Sequence, residues 1–488
     1  MPKCFSSYKI YGRLFNKVQL CNTELKFFQQ PNLLDSVYFY QTSYQQSNIH
    51  KTMSTFRISD YDCIGFDLDS TILRYNISNL VQLEYDVITK FLVDKKGYNA
   101  KHLTEPLSQK DFDFLQKGLF LDFEKGNVVK LSPNGNVYLA SHGTNILSNN
   151  DIEKYYPNRE WKIGKMFTEN PLLTWNGPLS LKIRTVMDYF DMISSLVFAR
   201  VVNSLDTVNG KTLQTYNIWP DILEALSDMY SREQLTRNAG WFYSELKKNP
   251  AKYIHKCHTE ILAWIQKIKQ KKTTYLITGS NSDFAEFTTG YAFGKCWKSL
   301  FDIIVCYAKK PAFFMEKRPF YSVKNYYEDR IVTSKELERG KIYNQGNWKE
   351  LYEFFTRITD LSNPKCLYIG DNLLQDIFAP TNHANCDTIV ISEEQLAEKM
   401  LHHSHTHSDE HVLNSKIWGS FFTLKDSTGY TDSFWSHIIK KNSKLCIPQL
   451  DVITNVPLDK PLSCFVKEDN DKELKGYHPA KPITLSYL

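Results

Sequence analysis

The stretch Cys63-Ile64-Gly65-Phe66-Asp67-Leu68-Asp69-Ser70-Thr71 decides the fold, because an apolar run stops abruptly at two carboxylates. Short apolar runs of this kind are typical of parallel strands that are covered on both faces and never meet water. Open α/β sheets place their functional sites at the carboxyl ends of such strands. We therefore expect Asp67 and Asp69 at the functional edge of a parallel sheet.

Three later runs end in polar residues in the same way. They are Thr274 to Ile277, which ends at Thr278; Ile303 to Val305, ahead of Lys310; and Cys366 to Ile369, which ends at Gly370-Asp371. A helical repeat of apolar residues over Ile254 to Ile268 precedes the second strand. This alternation of strands and helices predicts a doubly wound, Rossmann-like α/β fold with a parallel sheet.

About two hundred residues separate the first strand from the second, far more than an ordinary crossover needs. We therefore predict an inserted domain. Lys125-Gly126-Asn127 and Asn134-Gly135-Asn136 are typical of tight turns between short strands. Leu181 to Leu205 and Ile218 to Met229 are predicted to be helical. The insertion is expected to be a large, mostly helical cap that begins with a β-flap.

These patterns divide the chain into six parts. We expect an N-terminal extension (1–56), a first core segment (57–115), the cap with its β-flap (116–250), a second core segment (251–398), a histidine-rich loop (399–415) and a C-terminal tail packed on the core (416–488). The loop contains His402, His403, His405, His407 and His411. These histidines could bind a metal, but we favour a solvated loop, because no second ligand group or defined turn accompanies them.

The first fifty residues leave the location of the protein open. Before Glu24 the chain carries Lys3, Lys9, Arg13 and Lys17 but no acidic residue, which is compatible with an organellar transit peptide. The segment is poor in arginine, however, and lacks the apolar core of a secretory signal. An extension that does not pack is the favoured interpretation, with Met53 as an alternative start. We expect a cytoplasmic protein, and mitochondrial import is the alternative.

Composition excludes several classes of protein. The net charge of +5 is small for 488 residues and the lysines are scattered, so nucleic acid binding is not expected. No apolar run approaches the roughly 18 residues that a membrane helix needs, so a membrane span is not expected either. The ten cysteines include no Cys-x-x-Cys pair, which favours reduced thiols. A homo-oligomer is compatible with the sequence and is left open.

Asp67 and Asp69 together suit phosphoryl transfer. In the turn after a strand, alternate side chains can face one crevice while backbone amides meet an anion. One carboxylate close to a metal ion can attack phosphorus, and the second can protonate the leaving oxygen and later activate water. An Asp-x-Asp-x-Thr pattern is weak by itself, since Asp and Thr are frequent in loops for capping reasons.

The later strand ends supply the other groups that this chemistry needs. Because a transferred phosphoryl group carries negative charge, Thr278, Gly279, Ser280 and Lys310 are predicted to bind it. Mg²⁺ prefers oxygen ligands, which Asp67, the backbone carbonyl of Asp69 and Asp371 would provide. Asp376 is expected to orient Lys310 or a metal-bound water. Each residue alone could serve as a helix cap or a solvated charge, but the four strand ends together favour catalysis.

On these four motifs the sequence resembles the haloacid dehalogenase superfamily and, more narrowly, the cytosolic purine 5'-nucleotidase family. The segments that carry the resemblance span roughly Tyr61 to Leu458 and are Ile64 to Thr71, Lys117-Gly118-Leu119, Ser141-His142-Gly143-Thr144, Ala308-Lys309-Lys310-Pro311, Gln345-Gly346-Asn347 and Trp418-Gly419-Ser420-Phe421-Phe422. The resemblance implies a haloacid dehalogenase-like fold with a cap between the first two motifs. It also implies Asp67 as nucleophile, Asp69 as proton donor and Mg²⁺ held by Asp67, Asp69 and Asp371. The second motif, Thr278-Gly279-Ser280-Asn281-Ser282-Asp283, is longer than the Thr-Asn-Ser-Asp of the family.

The expected function is therefore Mg²⁺-dependent hydrolysis of a small phosphomonoester, a nucleoside 5'-monophosphate, through an aspartyl phosphate on Asp67. Two alternatives remain. The same intermediate could pass its phosphate to an acceptor nucleoside instead of water. Alternatively, the protein could keep the fold and act by binding partners, since it has no evident counterpart of the cap residues that grip the purine base in the family.

Overall fold

The computed structural model describes residues 55–174, 177–237, 240–405, 407–465 and 475–488. The strands in these residues are β1 (Thr55–Phe56), β2 (Cys63–Phe66), β3 (Phe120–Asp122), β4 (Asn127–Leu131), β5 (Val137–His142), β6 (Asn145–Ile146), β7 (Ile183–Thr185), β8 (Thr273–Ile277), β9 (Ile303–Cys306), β10 (Phe320–Lys324), β11 (Tyr327–Val332), β12 (Lys341–Gln345), β13 (Cys366–Gly370), β14 (Asp387–Ile391), β15 (Thr423–Asp426), β16 (Gly429–Asp432), β17 (Leu445–Ile447) and β18 (Leu462–Ser463).

The α-helices lie between these strands. In chain order they are α1 (Ile77–Lys96), α2 (Ala100–Leu103), α3 (Gln109–Phe112), α4 (Asn149–Tyr155), α5 (Lys162–Glu169), α6 (Ile193–Asn209), α7 (Trp219–Met229), α8 (Arg232–Thr236), α9 (Trp241–Lys248), α10 (Pro250–Tyr253), α11 (Thr259–Lys269), α12 (Ser282–Ala292), α13 (Ala312–Met315), α14 (Trp348–Thr359), α15 (Ala379–His383), α16 (Glu394–Ala397), α17 (Glu410–Leu413), α18 (Phe434–Asn442) and α19 (Asp451–Thr454).

The central sheet has nine strands in the order β11-β10-β12-β9-β8-β2-β13-β14-β17. The strands from β12 to β17 in this order run parallel, and the antiparallel hairpin of β10 and β11 forms one edge. The four strands that the sequence predicts, β2, β8, β9 and β13, lie side by side in the middle. Because they are parallel, their carboxyl ends meet at one edge of the sheet.

Each face of the central sheet has its own hydrophobic core. Ile64 and Phe66 of β2 point to one face, where they join the apolar side of α11. Cys63 and the residues of β13 and β8 that share its face pack against α14 and α18. Both faces of the central strands are therefore covered, which explains their continuous apolar runs. The doubly wound α/β fold is confirmed.

Gly65 allows two neighbouring strands to carry a large ring between them. It lies opposite Tyr275 in the parallel pair of β2 and β8. A Cβ atom at Gly65 would lie 2.0 Å from the Tyr275 ring. The ring crosses β2 and donates a 3.2 Å hydrogen bond from its hydroxyl group to the carbonyl of Leu367 on β13. A side chain at position 65 would displace this ring.

The cap between β2 and β8 is built around a second sheet, antiparallel and ordered β6-β5-β4-β3-β7. The predicted turns at Gly126 and Gly135 join β3 to β4 and β4 to β5, and both glycines have the left-handed φ of +67° and +81° that such turns favour. The β-flap is thus part of a larger sheet, and the helices from α4 to α10 complete the described cap. This topology confirms the haloacid dehalogenase-like fold with an inserted cap.

Two predicted helices begin later than the sequence suggested. The prediction from Leu181 to Leu205 is wrong for its first part, since β7 (Ile183–Thr185) pairs with β3 and the helix begins at Ile193. Ile183 and Thr185 are buried on either side of the half-buried Arg184, the alternation of a strand. Likewise, the helix predicted from Ile254 begins at Thr259. At Ile183–Thr185, pairing with β3 outweighed the local helical spacing, and Ile254 forms an isolated β-bridge with Tyr75.

The two ends of the described chain contribute more structure than expected. The predicted tail (416–488) supplies β17 to the central sheet, where it pairs with β14, as well as the hairpin of β15 and β16. The last residues of the predicted N-terminal extension (1–56) form β1, which pairs with β18. Residues 1–54 of that extension lie outside the described residues.

The histidine-rich loop is partly buried, contrary to the favoured interpretation. His407 is buried, and its Nε2 atom lies 2.7 Å from the carboxylate of Glu393. Two residues further on, Asp409 accepts hydrogen bonds of 3.0 and 3.2 Å from the backbone amides of Ile77 and Ser78 and so caps α1. The described part of this segment therefore docks onto the core at the beginning of α1.

Among the described helices, none combines the length and the hydropathy needed to cross a bilayer. Seven cysteines in the described residues are free thiols, namely Cys63, Cys257, Cys296, Cys306, Cys366, Cys386 and Cys446.

Candidate active site

The carboxyl ends of β2, β8, β9 and β13 bring the predicted residues together. Asp67 follows β2 directly, and its backbone amide still donates a 2.8 Å hydrogen bond to Ile369 of β13. Leu68 turns into the core, where it is fully buried, so that the side chains on either side of it can face the crevice. The spacing of Asp67 and Asp69 follows from this alternation.

Lys310 joins the first motif to the fourth. Its ammonium group lies 2.7 Å from Oδ1 of Asp67 and 2.6 Å from Oδ1 of Asp376, and all three side chains are buried. Burial alone would lower the pKa of Lys310, but Asp376 and Asp67 outweigh burial and hold the pKa well above its ordinary value. The lysine therefore stays charged between two acids, as a buried cation requires.

Asp69 is held by hydroxyl groups from two directions. Tyr75 donates a 2.6 Å hydrogen bond to its Oδ1 atom, and Ser280 donates one of 2.6 Å to its Oδ2 atom. Thr278 approaches the same Oδ2 atom at 3.3 Å. Burial raises the pKa of Asp69, while the bonds from Ser280 and Tyr75 oppose the rise. The net result is a raised pKa for a carboxyl group whose two oxygens both accept hydrogen bonds.

The second motif places Ser280, rather than Thr278, at the cavity. Thr278 is fully buried, and its hydroxyl oxygen accepts a 3.0 Å hydrogen bond from the backbone amide of Ser280. Gly279 and Ser280 line the cavity. The sequence predicted both hydroxyl groups near the phosphate, and the structure assigns Thr278 to shaping the loop that presents Ser280.

Three carboxylates form a cluster that suits a divalent cation. One oxygen from each of Asp67, Asp371 and Asp376 lies within 4.8 Å of the others. Burial raises the pKa of Asp67 and of Asp371 well above the ordinary value, and neighbouring acids add to the rise, although Lys310 and Lys117 oppose it. Such a cluster of hard oxygen donors fits Mg²⁺. The side chain of Asp69 is engaged by Tyr75 and Ser280, so its predicted metal contact would fall to its backbone carbonyl.

A close approach at Gly370 positions the fourth motif. A Cβ atom at Gly370 would lie 2.4 Å from Cβ of Asp376. Asp376 lies in a π-helical turn, Leu373–Phe378, and its Oδ2 atom accepts a 3.2 Å hydrogen bond from the backbone amide of Asn372. Wide turns of this type are frequent at functional sites. The turn brings Asp376 back over the end of β13 and against Lys310.

The cap closes over these acids and leaves a cavity of about 220 Å³. Its aromatic wall consists of Phe190, Tyr230, Tyr243 and Phe284. Asp188 of the cap also lines the cavity, and its carboxylate accepts a 3.2 Å hydrogen bond from the backbone amide of Phe190. The cavity thus combines carboxyl groups and a lysine with aromatic rings, which suits a small ligand that has both polar and ring-containing parts.

Sequence reasoning missed four residues of this site, namely Tyr75, Lys117, Asp188 and Glu394. Lys117 approaches Asp371 at 3.4 Å and Glu394 at 3.6 Å. The only signal was the segment Lys117-Gly118-Leu119, which carried the resemblance but had no assigned role. Asp188 and Tyr75 have no motif around them, since their positions depend on how the cap and α1 fold back.

The parallel sheet, the inserted cap and the acids, hydroxyl groups and lysine at four strand ends define a phosphatase-type hydrolase. A model of the 5' nucleotidase family matches residues 52–439. The chain belongs to this 5' nucleotidase family.

Two curated relatives extend the match to nearly their whole length. The chain is 32% identical over 459 residues to 5'-nucleotidase domain-containing protein 1 of Homo sapiens, which covers 88% of this chain and 97% of that protein. It is 33% identical over 456 residues to the Bos taurus protein of the same name, with the same two coverages. A solved structure, a predicted phosphoglycolate phosphatase from Haemophilus somnus, superposes with a TM-score of 0.28 at 13% identity over 68% of this chain and 85% of that one.

Proposed function

We propose that this protein hydrolyses nucleoside 5'-monophosphates in a Mg²⁺-dependent reaction, with Asp67 as the nucleophile. The observation that carries the proposal is the pairing of Lys310 with both Asp67 and Asp376 beside the hydroxyl-bound Asp69. One carboxylate beside a fixed cation and a second one held by two hydroxyl groups provide the two carboxyl groups that the reaction needs.

The residues of the chain can carry both half-reactions. A carboxylate oxygen of Asp67 forms a bond to phosphorus as the ester P–O bond breaks, which leaves an aspartyl phosphate. Asp69 gives its proton to the departing alkoxide oxygen and then takes a proton from the water that attacks phosphorus. This second attack releases phosphate and restores Asp67 and Asp69. Lys310 and Ser280 offset the negative charge on the transferred group.

The acidic cluster supports the metal dependence. Asp67, Asp371 and the backbone carbonyl of Asp69 would hold the ion, with Asp376 beside them. When bound, Mg²⁺ supplies positive charge that lets a phosphate dianion approach the carboxylates. Without that charge, the four carboxyl groups of Asp67, Asp69, Asp371 and Asp376 outnumber the two lysines that face them, Lys310 and Lys117.

Two features support a nucleotide as the substrate. The relatives are named as 5'-nucleotidase domain proteins, and membership of the family extends that substrate class to this chain by analogy. The wall of Phe190, Tyr230, Tyr243 and Phe284 offers ring surfaces on which a base can pack. The Asp188 carboxylate beside it can accept hydrogen bonds from sugar hydroxyl or amino groups.

The test is phosphate release from a panel of nucleoside 5'-monophosphates, with Mg²⁺ or with a chelator. We expect turnover that the chelator abolishes, and we expect Asp67→Asn to lower it by about a thousandfold or more. Asp94→Asn is the matched control, because Asp94 forms an exposed ion pair with Lys90 on α1 and does not line the cavity. Undiminished turnover by Asp67→Asn, or turnover without a divalent cation, contradicts the proposal.

A further inference from the structure

A second buried lysine, Lys117, lies at the beginning of the cap, just before β3, and its side chain reaches the site. Its ammonium group lies 3.4 Å from Oδ2 of Asp371, 3.6 Å from Oε1 of Glu394 and 3.8 Å from the centre of the Tyr189 ring. The side chain is only 4% exposed. Burial of this cation is offset by the two carboxylates and by the face of the ring.

The backbone around Lys117 is fixed on both sides. Gly118 has a left-handed φ of +82°, and a Cβ atom there would lie 1.9 Å from Nε1 of Trp435. The Trp435 indole donates a 3.2 Å hydrogen bond to the carbonyl of Gly118, whose amide donates one of 2.7 Å to Val186. A glycine is required at position 118 for this approach. The segment Lys117-Gly118 is therefore built to aim one ammonium group at Asp371.

Glu394 depends on the same ammonium group. Its Oε2 atom accepts a 2.7 Å hydrogen bond from Ser392. Its Oε1 atom is buried and has no hydrogen-bond donor among the described residues, so the ammonium of Lys117 at 3.6 Å is the positive charge that faces it. Lys117 thus lies between Asp371 and Glu394. If it moved away, both buried carboxyl groups would lose their contact with its ammonium group.

Each acid of the cluster already has one oxygen facing an ammonium group. Lys310 occupies Oδ1 of Asp67 and Oδ1 of Asp376, at 2.7 and 2.6 Å. Lys117 faces Oδ2 of Asp371. A divalent cation is repelled from an oxygen that an ammonium group already approaches. Among the described residues, Asp67 and Asp371 are therefore each left with one oxygen that no ammonium group faces, whereas the second oxygen of Asp376 accepts the Asn372 amide.

We propose that Lys117 is a positioning residue that restricts Asp371 to binding a metal through one oxygen and thereby selects Mg²⁺ over Ca²⁺. Mg²⁺ takes six ligands in a strict octahedron and keeps several waters, so single oxygens suffice for it. Ca²⁺ takes six to eight oxygens and often binds both oxygens of a carboxylate. The inference rests on the proposed function for the position of the metal site at Asp67 and Asp371. It concerns which cation binds there, and it is independent of the substrate.

The experiment measures Mg²⁺ and Ca²⁺ binding by titration calorimetry on the full chain without any phosphate ester. The variants are Lys117→Met, which keeps the stem and removes the charge, and Lys117→Arg, which keeps the charge. Lys125→Met is the control, since Lys125 is a cap lysine that packs 4.1 Å over the Tyr156 ring and does not line the cavity. All four proteins are checked for folding by circular dichroism.

We expect Lys117→Met to bind Ca²⁺ more tightly relative to Mg²⁺, so that the ratio of the Ca²⁺ to the Mg²⁺ dissociation constant falls by about tenfold. Residues that contact the ligands of a metal ion change its affinity by about this much. Lys117→Arg and Lys125→Met should keep the wild-type ratio. A ratio within about twofold of wild type in folded Lys117→Met overturns the proposal, because loss of a merely neutralising charge would strengthen the binding of both cations alike.

A second variant covers the case in which Lys117→Met does not fold. Glu394→Gln removes the competing acid, so Lys117 pairs with Asp371 alone and the preference for Mg²⁺ should be kept or increased. A shift toward Ca²⁺ in Glu394→Gln overturns the proposal. If wild type binds no Mg²⁺, the metal dependence proposed for the function fails as well; normal Mg²⁺ binding with an unchanged ratio in Lys117→Met refutes only the role of Lys117.

Discussion

Asp69 accepts a 2.6 Å hydrogen bond from the hydroxyl group of Tyr75, which lies six residues further along the chain. Ser280, from the distant second motif, bonds the other oxygen of the same carboxylate. The orientation of Asp69 is thus fixed from both sides before any substrate binds. Asp67, two residues away, is oriented by a lysine instead. These different partners assign the two aspartates to different chemical roles.

The loss of activity in Asp69→Asn should depend on the leaving group of the ester. As the proton donor, Asp69 matters most for a poor leaving group, so the variant should lose about 10²- to 10⁴-fold in kcat with a nucleoside monophosphate. The phenolate of p-nitrophenyl phosphate leaves without a proton. With this ester, the variant should therefore lose much less of the rate of the first step. Single-turnover kinetics on both esters measure the difference. Equal losses on both esters would contradict proton donation by Asp69.

Ser280→Ala should impair activity more than Thr278→Ser. Ser280 lines the cavity and donates a 2.6 Å hydrogen bond to Asp69, whereas Thr278 is fully buried and its hydroxyl group lies 3.3 Å from the same oxygen. Loss of a hydrogen bond to a charged group costs about 1.5 to 3 kcal/mol, so kcat/KM should fall by roughly 10- to 100-fold in Ser280→Ala. Thr278→Ser keeps the buried hydroxyl and should stay near wild type. Undiminished kcat/KM in Ser280→Ala would contradict the role of Ser280.

Arg232→Gln should weaken substrate binding. The Arg232 side chain at the beginning of α8 donates a 3.0 Å hydrogen bond to Asp283 of α12, bonds the carbonyl of Tyr326, and packs 3.9 Å over the Tyr327 ring. It therefore ties the cap to the core close to Tyr230 of the cavity wall. We expect KM to rise by about tenfold with a smaller change in kcat, since only the cap position is loosened.

The control for Arg232→Gln is Arg237→Gln on the same short helical segment. Arg237 forms an exposed pair with Glu233 and is 72% exposed. Its loss should leave both KM and kcat within about twofold, because exposed pairs contribute at most about 1 kcal/mol. If the two variants behave alike, the contact between Arg232 and the core has no bearing on the cavity.

Gly65→Ala should destabilise the fold, and Gly290→Ala should not. An added Cβ at Gly65 would meet the Tyr275 ring at 2.0 Å, inside the packed core of the central sheet. Overpacking of this kind costs about 1 to 3 kcal/mol of the free energy of unfolding. At Gly290, within α12, an added Cβ meets no atom within 4 Å. There the change should stabilise the helix by about 0.5 to 1 kcal/mol, as thermal unfolding can measure.

Glu393 should contribute a pH-dependent part of the stability. Burial would raise the pKa of Glu393, but Arg74 and His407 outweigh it and hold the pKa well below its ordinary value of 4.5. A lowered pKa in the folded state means that the contribution is complete above the ordinary pKa and is lost as the pH falls below it. The Tm difference between wild type and Glu393→Gln should therefore be largest above pH 5 and shrink on acidification to about pH 3.5.

The matched control for this pH series is Glu233→Gln, whose carboxylate is 66% exposed in its pair with Arg237. Its Tm difference from wild type should be small and should change little over the same range. A Tm difference for Glu393→Gln that stays constant from pH 6.5 to acid would show that the buried pair contributes no charge-dependent stability.

Much of the fold could be predicted because it depends on local patterns. The apolar runs before Asp67, Thr278, Lys310 and Asp371 match β2, β8, β9 and β13 to within one residue at each end. A strand covered on both faces must be apolar throughout, so a continuous apolar run in the sequence predicts a buried strand. The region from Leu181 to Met192 has no such run, and its pairing with β3 depends on residues some sixty positions away.

The sequence by itself determined the order of the four strand ends and the identity of the groups on them: Asp67 and Asp69, Thr278 and Ser280, Lys310, and Asp371 with Asp376. Only the tertiary structure decided which oxygen each cation faces, which hydroxyl group reaches the cavity, and that Lys117 and Asp188 belong to the site at all. The reason is physical. Hydrophobic periodicity acts between neighbours along the chain, whereas ion pairs and hydrogen bonds join residues that only the packing of cap against core brings within reach.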